Sequence, residues 1–278
     1  MSQSGFDGTD APMKSMKLYD RVERIHNELA LLDIVDGEPL SVEMLTPFDN
    51  YHYFGTAAVD EAIDALGLQP GMRVLDIGSG IGGPARYIAA SSGARVTALE
   101  LQPDLDALAA DLTKRCGLEN LVEHRCGDIL DGLGETYDAV VSFLCFLHIA
   151  DRKRLLAACR AVLAVGGGMY IEDYAERRAP TSAEAAALEV KVQCPMLPSP
   201  EDYDAQLRDA GFVDIRVEDV TSPWTAYTAS RLEEFRAARD RNIAVHGLDV
   251  VDGLDDFYAT VAGLFETGVI AGLKILAR

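Results

Sequence analysis

At 278 residues the chain has room for one sizeable core, with or without appended helices, and 49% of it is hydrophobic. Forty-five acidic against 25 basic residues leave a formal net charge of −20, a field that repels nucleic acid and anionic membranes and favours neutral or cationic partners. No apolar run approaches the length of a membrane span, so the composition predicts a soluble globular protein with neither nucleic acid nor membrane as partner.

The same charge also reads as an adaptation for solubility, for instance in a salty cytoplasm. Cys116, Cys126, Cys145, Cys159 and Cys194 form no CxxC pair and are odd in number. That argues for reduced thiols in a cytoplasmic protein and against a disulfide framework or a metal site. The first stretch, MSQSGFDGTDAPMKS (1–15), is polar, has no apolar segment of a secretion signal, and reads as a disordered leader.

In chain order, residues 16–35 predict a helix, with Val22, Ile25, Leu29 and Leu32 on one face. TPFDNYHYFGT (46–56) reads as an aromatic-rich loop, and 57–66 as a short helix ended by Gly67, so that 16–66 form an N-terminal helical cap. Strands are expected at 73–77, 95–99, 122–125, 137–143 and 168–172, separated by helical patterns at 84–91, 103–116 and 152–165. A parallel sheet covered by helices produces this alternation. The helix at 103–116 opens with Pro103 and Asp104, a proper start signal, and buries Leu105, Leu108 and Leu112.

After Asp173 the alternation loosens into a polar, Ala-rich stretch (175–190), CPMLPSP, a helix at 200–210 and a strand at 213–220. A helical insertion at 222–268 follows, and an apolar strand at 269–276 closes the chain. That last strand is expected to pair with the one before it as an antiparallel hairpin at one sheet edge. The fold class expected is therefore α/β: a Rossmann-like, seven-stranded, mostly parallel sheet spanning 67–278, with a terminal antiparallel hairpin, the N-terminal cap and a helical lid before the last strand.

The chemistry starts at VLDIGSGIGGPARYIA. Gly78, Gly80 and Gly83 match G-x-G-x-x-G directly after a strand, and Glu100 ends the next strand 20 residues past Gly80. Such glycines let backbone N–H groups and a helix start approach a ligand closely, while the carboxylate accepts hydrogen bonds from a ribose diol. Both statements suit an NAD-binding unit and an S-adenosylmethionine site. Three features separate them. Asp76, two residues before Gly78, suits the cationic part of an amino-acid ligand and would oppose a pyrophosphate. GDIL (127–130) ends the third strand with a carboxylate placed for an adenine amino group. The terminal hairpin replaces the second nucleotide-binding half of a dehydrogenase.

Taken with VTALELQ, GDIL, YDAVVSFLCFLHI and VGGGMYIEDY, this segment resembles the successive motifs of class I S-adenosylmethionine-dependent methyltransferases. The similarity is greatest to the branch containing the sarcosine/dimethylglycine and phosphoethanolamine N-methyltransferases, and it covers roughly residues 50–278. The resemblance implies S-adenosylmethionine as cofactor. It implies that Gly78, Ser79 and Gly80 approach the methionine part, with Asp76 supporting that end and Phe143 contacting it. Glu100 would bind the ribose hydroxyls, Leu101 would lie against the adenine, and Asp128 and Ile129 would take the adenine edge. Gly82 and Gly83 have helix–sheet packing as their alternative role.

An ammonium acceptor must lose a proton before it can attack, so a base is sought beyond the carboxyl ends of the strands. His148, five residues past the fourth strand, is the best-placed candidate; its alternative is a helix-start hydrogen bond to backbone. Tyr51, His52 and Tyr53 form a second cluster, able to hydrogen-bond the acceptor or to face a cation with their rings. Asp173 could pair a cationic acceptor or cap the following turn, and Trp224 and Tyr227 open the lid. Cys145 and Cys194 keep a thiol-assisted arsenic methylation open. No Arg/Lys cluster near these rims suits a phosphate, which disfavours a phosphorylated acceptor. The expectation is N-methylation of a small amine, sarcosine- or dimethylglycine-like. The rivals are C-, O-, S- or arsenic methylation, an NAD-dependent dehydrogenase, and a non-catalytic cofactor binder. The sequence leaves the oligomeric state open.

Overall fold

The computed structural model describes residues 22–278; the leader expected at 1–15 and the start of the helix expected at 16–35 lie outside the described residues. The cap begins with α1 (Glu23–Leu31), which buries Ile25 and Leu29. Next comes α2 (Val42–Asp49), capped by Ser41, whose side chain accepts from the Met44 N–H. The loop expected from residue 46 is thus helical through Asp49 and irregular only from Asn50. Pro47 cannot donate to the Glu43 carbonyl four residues back, but the Thr46 hydroxyl does so at 3.0 Å, which keeps the helix intact there. Helix α3 (Thr56–Leu66) then ends at Gly67, as expected, in the left-handed conformation.

The sheet domain follows as β1 (Arg73–Ile77), α4 (Gly83–Ser92), β2 (Arg95–Glu100), α5 (Pro103–Arg115), β3 (Val122–Cys126), β4 (Tyr137–Phe143), α6 (Arg152–Val162) and β5 (Leu163–Glu176). Helices α7 (Ser182–Val190) and α8 (Pro200–Asp209) precede β6 (Arg216–Asp219). The lid insertion is three helices, α9 (Thr221–Ala237), α10 (Arg239–His246) and α11 (Leu248–Glu266), before β7 (Ile270–Ala277). The seven strands lie in the order β3-β2-β1-β4-β5-β7-β6, and β7 runs antiparallel to both of its neighbours. Val74 and Ala98 pack with α3 and α4 on one face, while Leu75 and Ile77 pack with α6 and α8 on the other. Burial on both faces is why the central strands read as continuous apolar runs.

The terminal hairpin lies at one sheet edge as expected, with β7 pairing antiparallel to β6 and slotting between it and β5. The apolar residues of β7 are buried almost throughout, whereas the short, polar β6 (RVED) tolerates the unpaired side. The strand expected at 168–172 is the middle of the 14-residue β5, and α6 accordingly stops at Val162.

Because the chain runs outward from β1 to β3 and then returns to β4 on the other side of β1, strand order reverses between β1 and β4. The carboxyl ends of those two strands frame the crevice where a ligand fits this topology. Among the described residues no helix is long and apolar enough to cross a membrane.

Candidate functional site

The turn after β1 is drawn over the end of β2 by two hydrogen bonds, from the Gly78 and Ser79 N–H groups to the Leu99 carbonyl at 2.9 and 3.1 Å. The Glu100 carboxylate then braces it, accepting from the Gly80 N–H and the Gln102 N–H, both at 2.9 Å. Gly78 sits at φ 74°, and a Cβ there would lie 2.3 Å from Cys145 Sγ. Gly83 serves a different neighbour: a Cβ there would meet the Asp49 carbonyl oxygen at 2.3 Å. The third glycine of the motif therefore admits the cap helix α2, and not the sheet, which was the packing partner considered for it from sequence.

Two cavities meet at this turn. The larger, about 550 Å³, lies beyond β1, β2 and β3 and is bordered by Glu100, Leu101, Asp128 and Ile129. The smaller, about 50 Å³, lies under the cap and is bordered by Tyr51, His52, Tyr53, Asp76, Ser79 and Phe143. Gly78, Gly80, Leu144 and His148 border both. Every residue expected from sequence to serve catalysis or the cofactor thus borders one cavity or the other, whereas Asp173, Trp224, Tyr227 and Cys194 border neither, and His148 is the sole ionisable side chain on the shared wall. Leu144 holds φ 54°, with its N–H donating to the Glu172 carbonyl at 2.8 Å. A leucine in that left-handed region costs on the order of 1–2 kcal/mol, strain of the kind that collects at functional sites.

Burial pushes the Glu100 carboxyl up to about 7, against the backbone N–H groups that hold it down. Asp76 is pushed up to about 7 as well, by burial first and by the Glu100 charge second. Asp76 Oδ2 and Ser79 Oγ are buried without a hydrogen-bond partner. Orphaned polar atoms beside a glycine turn fit a ligand with donors to share. Asp128 uses Oδ1 to accept from the Leu130 N–H at 2.9 Å, which fixes its carboxylate at the cavity edge.

The two histidines differ. His148 Nδ1 lies 3.0 Å from the Gln193 carbonyl, and since a carbonyl only accepts, Nδ1 carries the proton and Nε2 the basic lone pair. Burial lowers its pKa, so the ring is neutral near pH 7. His52 donates from Nε2 to the Gly55 carbonyl at 3.0 Å, packs on the Phe143 ring at 4.8 Å and is pushed down to about 4 by burial. It is the weaker base. The Tyr53 hydroxyl shares a hydrogen bond with that of Tyr174, and burial raises its pKa to about 12, so it acts as a neutral hydrogen-bonding group.

Asp173 does not face an acceptor. It is fully buried, accepts from the Leu147 N–H and the Tyr203 hydroxyl at 3.0 Å each, and lies 3.7 Å from Arg152. Trp224 is likewise buried in the lid cluster, and a Cβ on Gly272 would fall 2.3 Å from its ring. Cys145 borders the larger cavity but Cys194 borders neither of the two, and burial raises both thiols, Cys194 to about 12. That removes the pair of reactive thiols an arsenic acceptor would use.

Two features escaped the sequence reading. The Asp49–Arg86 ion pair (2.9 Å, side chains 1% and 0% exposed) ties α2 to α4 beneath the turn. Arg231 borders the smaller cavity; its signal was the spacing Trp224, Tyr227, Arg231, which puts all three on one face of α9.

A methyltransferase-domain family model matches residues 75–171. The chain is 31% identical over 221 residues to the sarcosine/dimethylglycine N-methyltransferase of Halorhodospira halochloris, covering 76% of this chain and 77% of that protein. It is 29% identical over 233 residues to the phosphoethanolamine N-methyltransferase of Triticum aestivum, covering 79% of this chain and 44% of the relative. The chain spans less than half the length of the phosphoethanolamine relatives it matches, 37% to 44%. In structure it is similar to phosphoethanolamine N-methyltransferase 2 of Haemonchus contortus solved with S-adenosyl-L-methionine. The TM-score is 0.77 and the identity 21%, covering 95% of this chain and 59% of that one.

Proposed function

The chain belongs to the S-adenosylmethionine-dependent methyltransferases, and from that premise we propose that it methylates the nitrogen of a small amine of the sarcosine or dimethylglycine kind. One observation carries this reading: His148 stands on the wall shared by a cofactor-sized cavity and a small aromatic one. Bound S-adenosylmethionine would supply a methyl group on a positively charged sulfur, which is already electrophilic. The residues present fit it, because Asp76 and Ser79 offer unpartnered buried oxygens at the glycine turn and Glu100 offers a braced carboxylate at the next strand end.

What the chain supplies is position, dryness and one base. Tyr51, His52, Tyr53 and Phe143 wall the small cavity, and the α9 and α11 helices close over it through Arg231 and Phe257. His148 Nε2 takes the proton from the ammonium so that nitrogen has a lone pair to attack with. The proposal includes a cytoplasmic location, supported by five free thiols.

The direct test is incubation with isotopically labelled S-adenosylmethionine and a panel of small amines, alcohols, thiols and carbon acids, with products read by mass spectrometry. Methylated amine with one S-adenosylhomocysteine per methyl is expected. Label found only on oxygen, carbon or sulfur overturns the reading.

Glu100 gives a sharper check on the cofactor half. Glu100→Ala is expected to cost on the order of 1.5–3 kcal/mol of S-adenosylhomocysteine affinity in calorimetry, the range for a hydrogen bond to a charged group. Unchanged affinity would remove Glu100 from the site. The pH dependence follows from Glu100 and Asp76 both lying near 7. A diol and an ammonium favour the ionised carboxylates, so binding is strongest above pH 7 and weakens as pH falls through it. The limit is about tenfold per pH unit for each carboxylate that must ionise. A dissociation constant flat from pH 8 to 6 would mean that neither carboxylate meets the ligand.

A further inference from the structure

His148 ends a single 3-10 turn, Phe146–His148, that follows β4. The chain enters this turn through Leu144 in its left-handed conformation, and a strained segment persists only where its surroundings hold it. On one side the Gln193 carbonyl takes the ring's Nδ1–H. On the other, two charged side chains take the turn's backbone. Asp173 Oδ1 accepts from the Leu147 N–H at 3.0 Å, and Arg152 Nη1 donates to the Phe146 carbonyl at 3.4 Å. Asp173 stands on β5 and Arg152 opens α6, with 3.7 Å between their charged groups. Helix α8 closes over both. The Tyr203 hydroxyl donates to Asp173 Oδ2 at 3.0 Å, and the Tyr203 ring lies 4.2 Å from the Arg152 guanidinium. The Gln206 side-chain oxygen accepts from Arg152 Nε at 3.0 Å.

Stability does not account for charges at this place. The Asp173 and Arg152 side chains are 0% and 3% exposed, and a well-packed apolar pair of similar volume is often as stable as a buried ion pair. An apolar pair could not, however, grip the carbonyl and the N–H of two neighbouring residues in one turn. Asp173 also has two sides to serve. Oδ1 faces the Leu147 N–H, while Oδ2 faces the Tyr203 hydroxyl and Arg152. A carboxylate has an acceptor for each side, whereas an amide has only one. We propose that Asp173, together with Arg152, is a positioning residue for methyl transfer, fixing the Phe146–His148 turn so that the His148 ring keeps its place on the wall between the two cavities. Neither Asp173 nor Arg152 borders either cavity, so both act through the turn alone. The proposal rests on the reading of His148 as the base, and it names what holds that base in place.

The test is Asp173→Asn, which keeps the volume but offers one acceptor atom where two are needed. It is expected to lower kcat about tenfold or more, with KM for the acceptor and S-adenosylhomocysteine affinity within about threefold, because small misplacements of a reacting group are costly. The defect should shrink as pH rises, as in His148→Ala. In the His148→Ala background the same substitution should lower kcat by less than about threefold, since a base that is absent cannot be misplaced. An equal loss in both backgrounds marks a merely structural role and overturns the proposal, as does an unchanged kcat. Arg152→Lys is milder because a cation stays beside Asp173, but it loses the planar fork that reaches Phe146 and Gln206. It should show the same dependence on His148, and it decides the question if the asparagine variant does not fold. A second readout is NMR of protein labelled with 15N-histidine, in which His148→Ala assigns the Nδ1–H resonance. That proton should exchange with water about tenfold or more faster in Asp173→Asn than in wild type. If His148→Ala keeps full turnover, the functional reading has failed and Asp173 is judged as an anchor of the ring by this resonance. Faster exchange then supports the anchor, and unchanged exchange overturns it.

Discussion

Replacing His148 with alanine is expected to lower kcat by roughly 100-fold or more while leaving S-adenosylhomocysteine affinity within about twofold. The argument is positional before it is electrostatic. His148 is the one ionisable side chain that borders both cavities, and its Nδ1–H is held by the Gln193 carbonyl, which orients the ring and assigns the lone pair to Nε2. Burial keeps the imidazole neutral at working pH, the form a base requires. The defect should shrink as pH rises and solution supplies the free amine. His52→Ala should behave otherwise, since its Nε2 is already committed to Gly55 and its ring packs on Phe143. The checks are pH–rate profiles of wild type and both variants. Full turnover in His148→Ala at every pH would leave proximity as the enzyme's whole contribution to nitrogen attack.

The largest effect on stability should come from Arg86→Met, with a loss of about 3–5 kcal/mol in urea unfolding, the range for breaking a buried ion pair from one side. Arg86 is fully buried and donates to Asp49 Oδ2 at 2.9 Å, to the Ile81 carbonyl at 2.8 Å and to the Ala109 carbonyl at 3.3 Å. Removing it strands the Asp49 carboxylate in the interior and frees the glycine turn at Ile81. The double variant Arg86→Met/Asp49→Leu should recover a large part of the loss, because a hydrophobic pair no longer buries a lone charge. A single Arg86→Met variant as stable as wild type would show that the cap is held without this pair. Because Asp49 also approaches Gly83 and borders the small cavity, the same substitution should raise KM for the acceptor more than it changes kcat.

Local sequence was enough for the sheet domain and for the placement of its glycine turn. The apolar runs of β1, β2 and β4, the Pro–Asp start of α5 and the glycines after β1 depend on backbone conformation and on burial of neighbouring residues, and both are written within a few positions. Glu100 was legible for the same reason, since a strand end 20 residues past Gly80 must come beside the glycine turn in a parallel βαβ unit. What the sequence could not determine is whatever is made by residues far apart along the chain. Asp173 could from sequence pair an acceptor or cap the following turn, and the fold instead brings Arg152 and Tyr203 to it from two helices. The place of β7 depended on which strand tolerates an open edge, a comparison that exists only once β5, β6 and β7 lie side by side. Asp49 and Arg86 are 37 positions apart. Periodicity shows which face of a helix is buried but not which other face it meets, and at this site the charges are matched or left unmatched by those meetings alone.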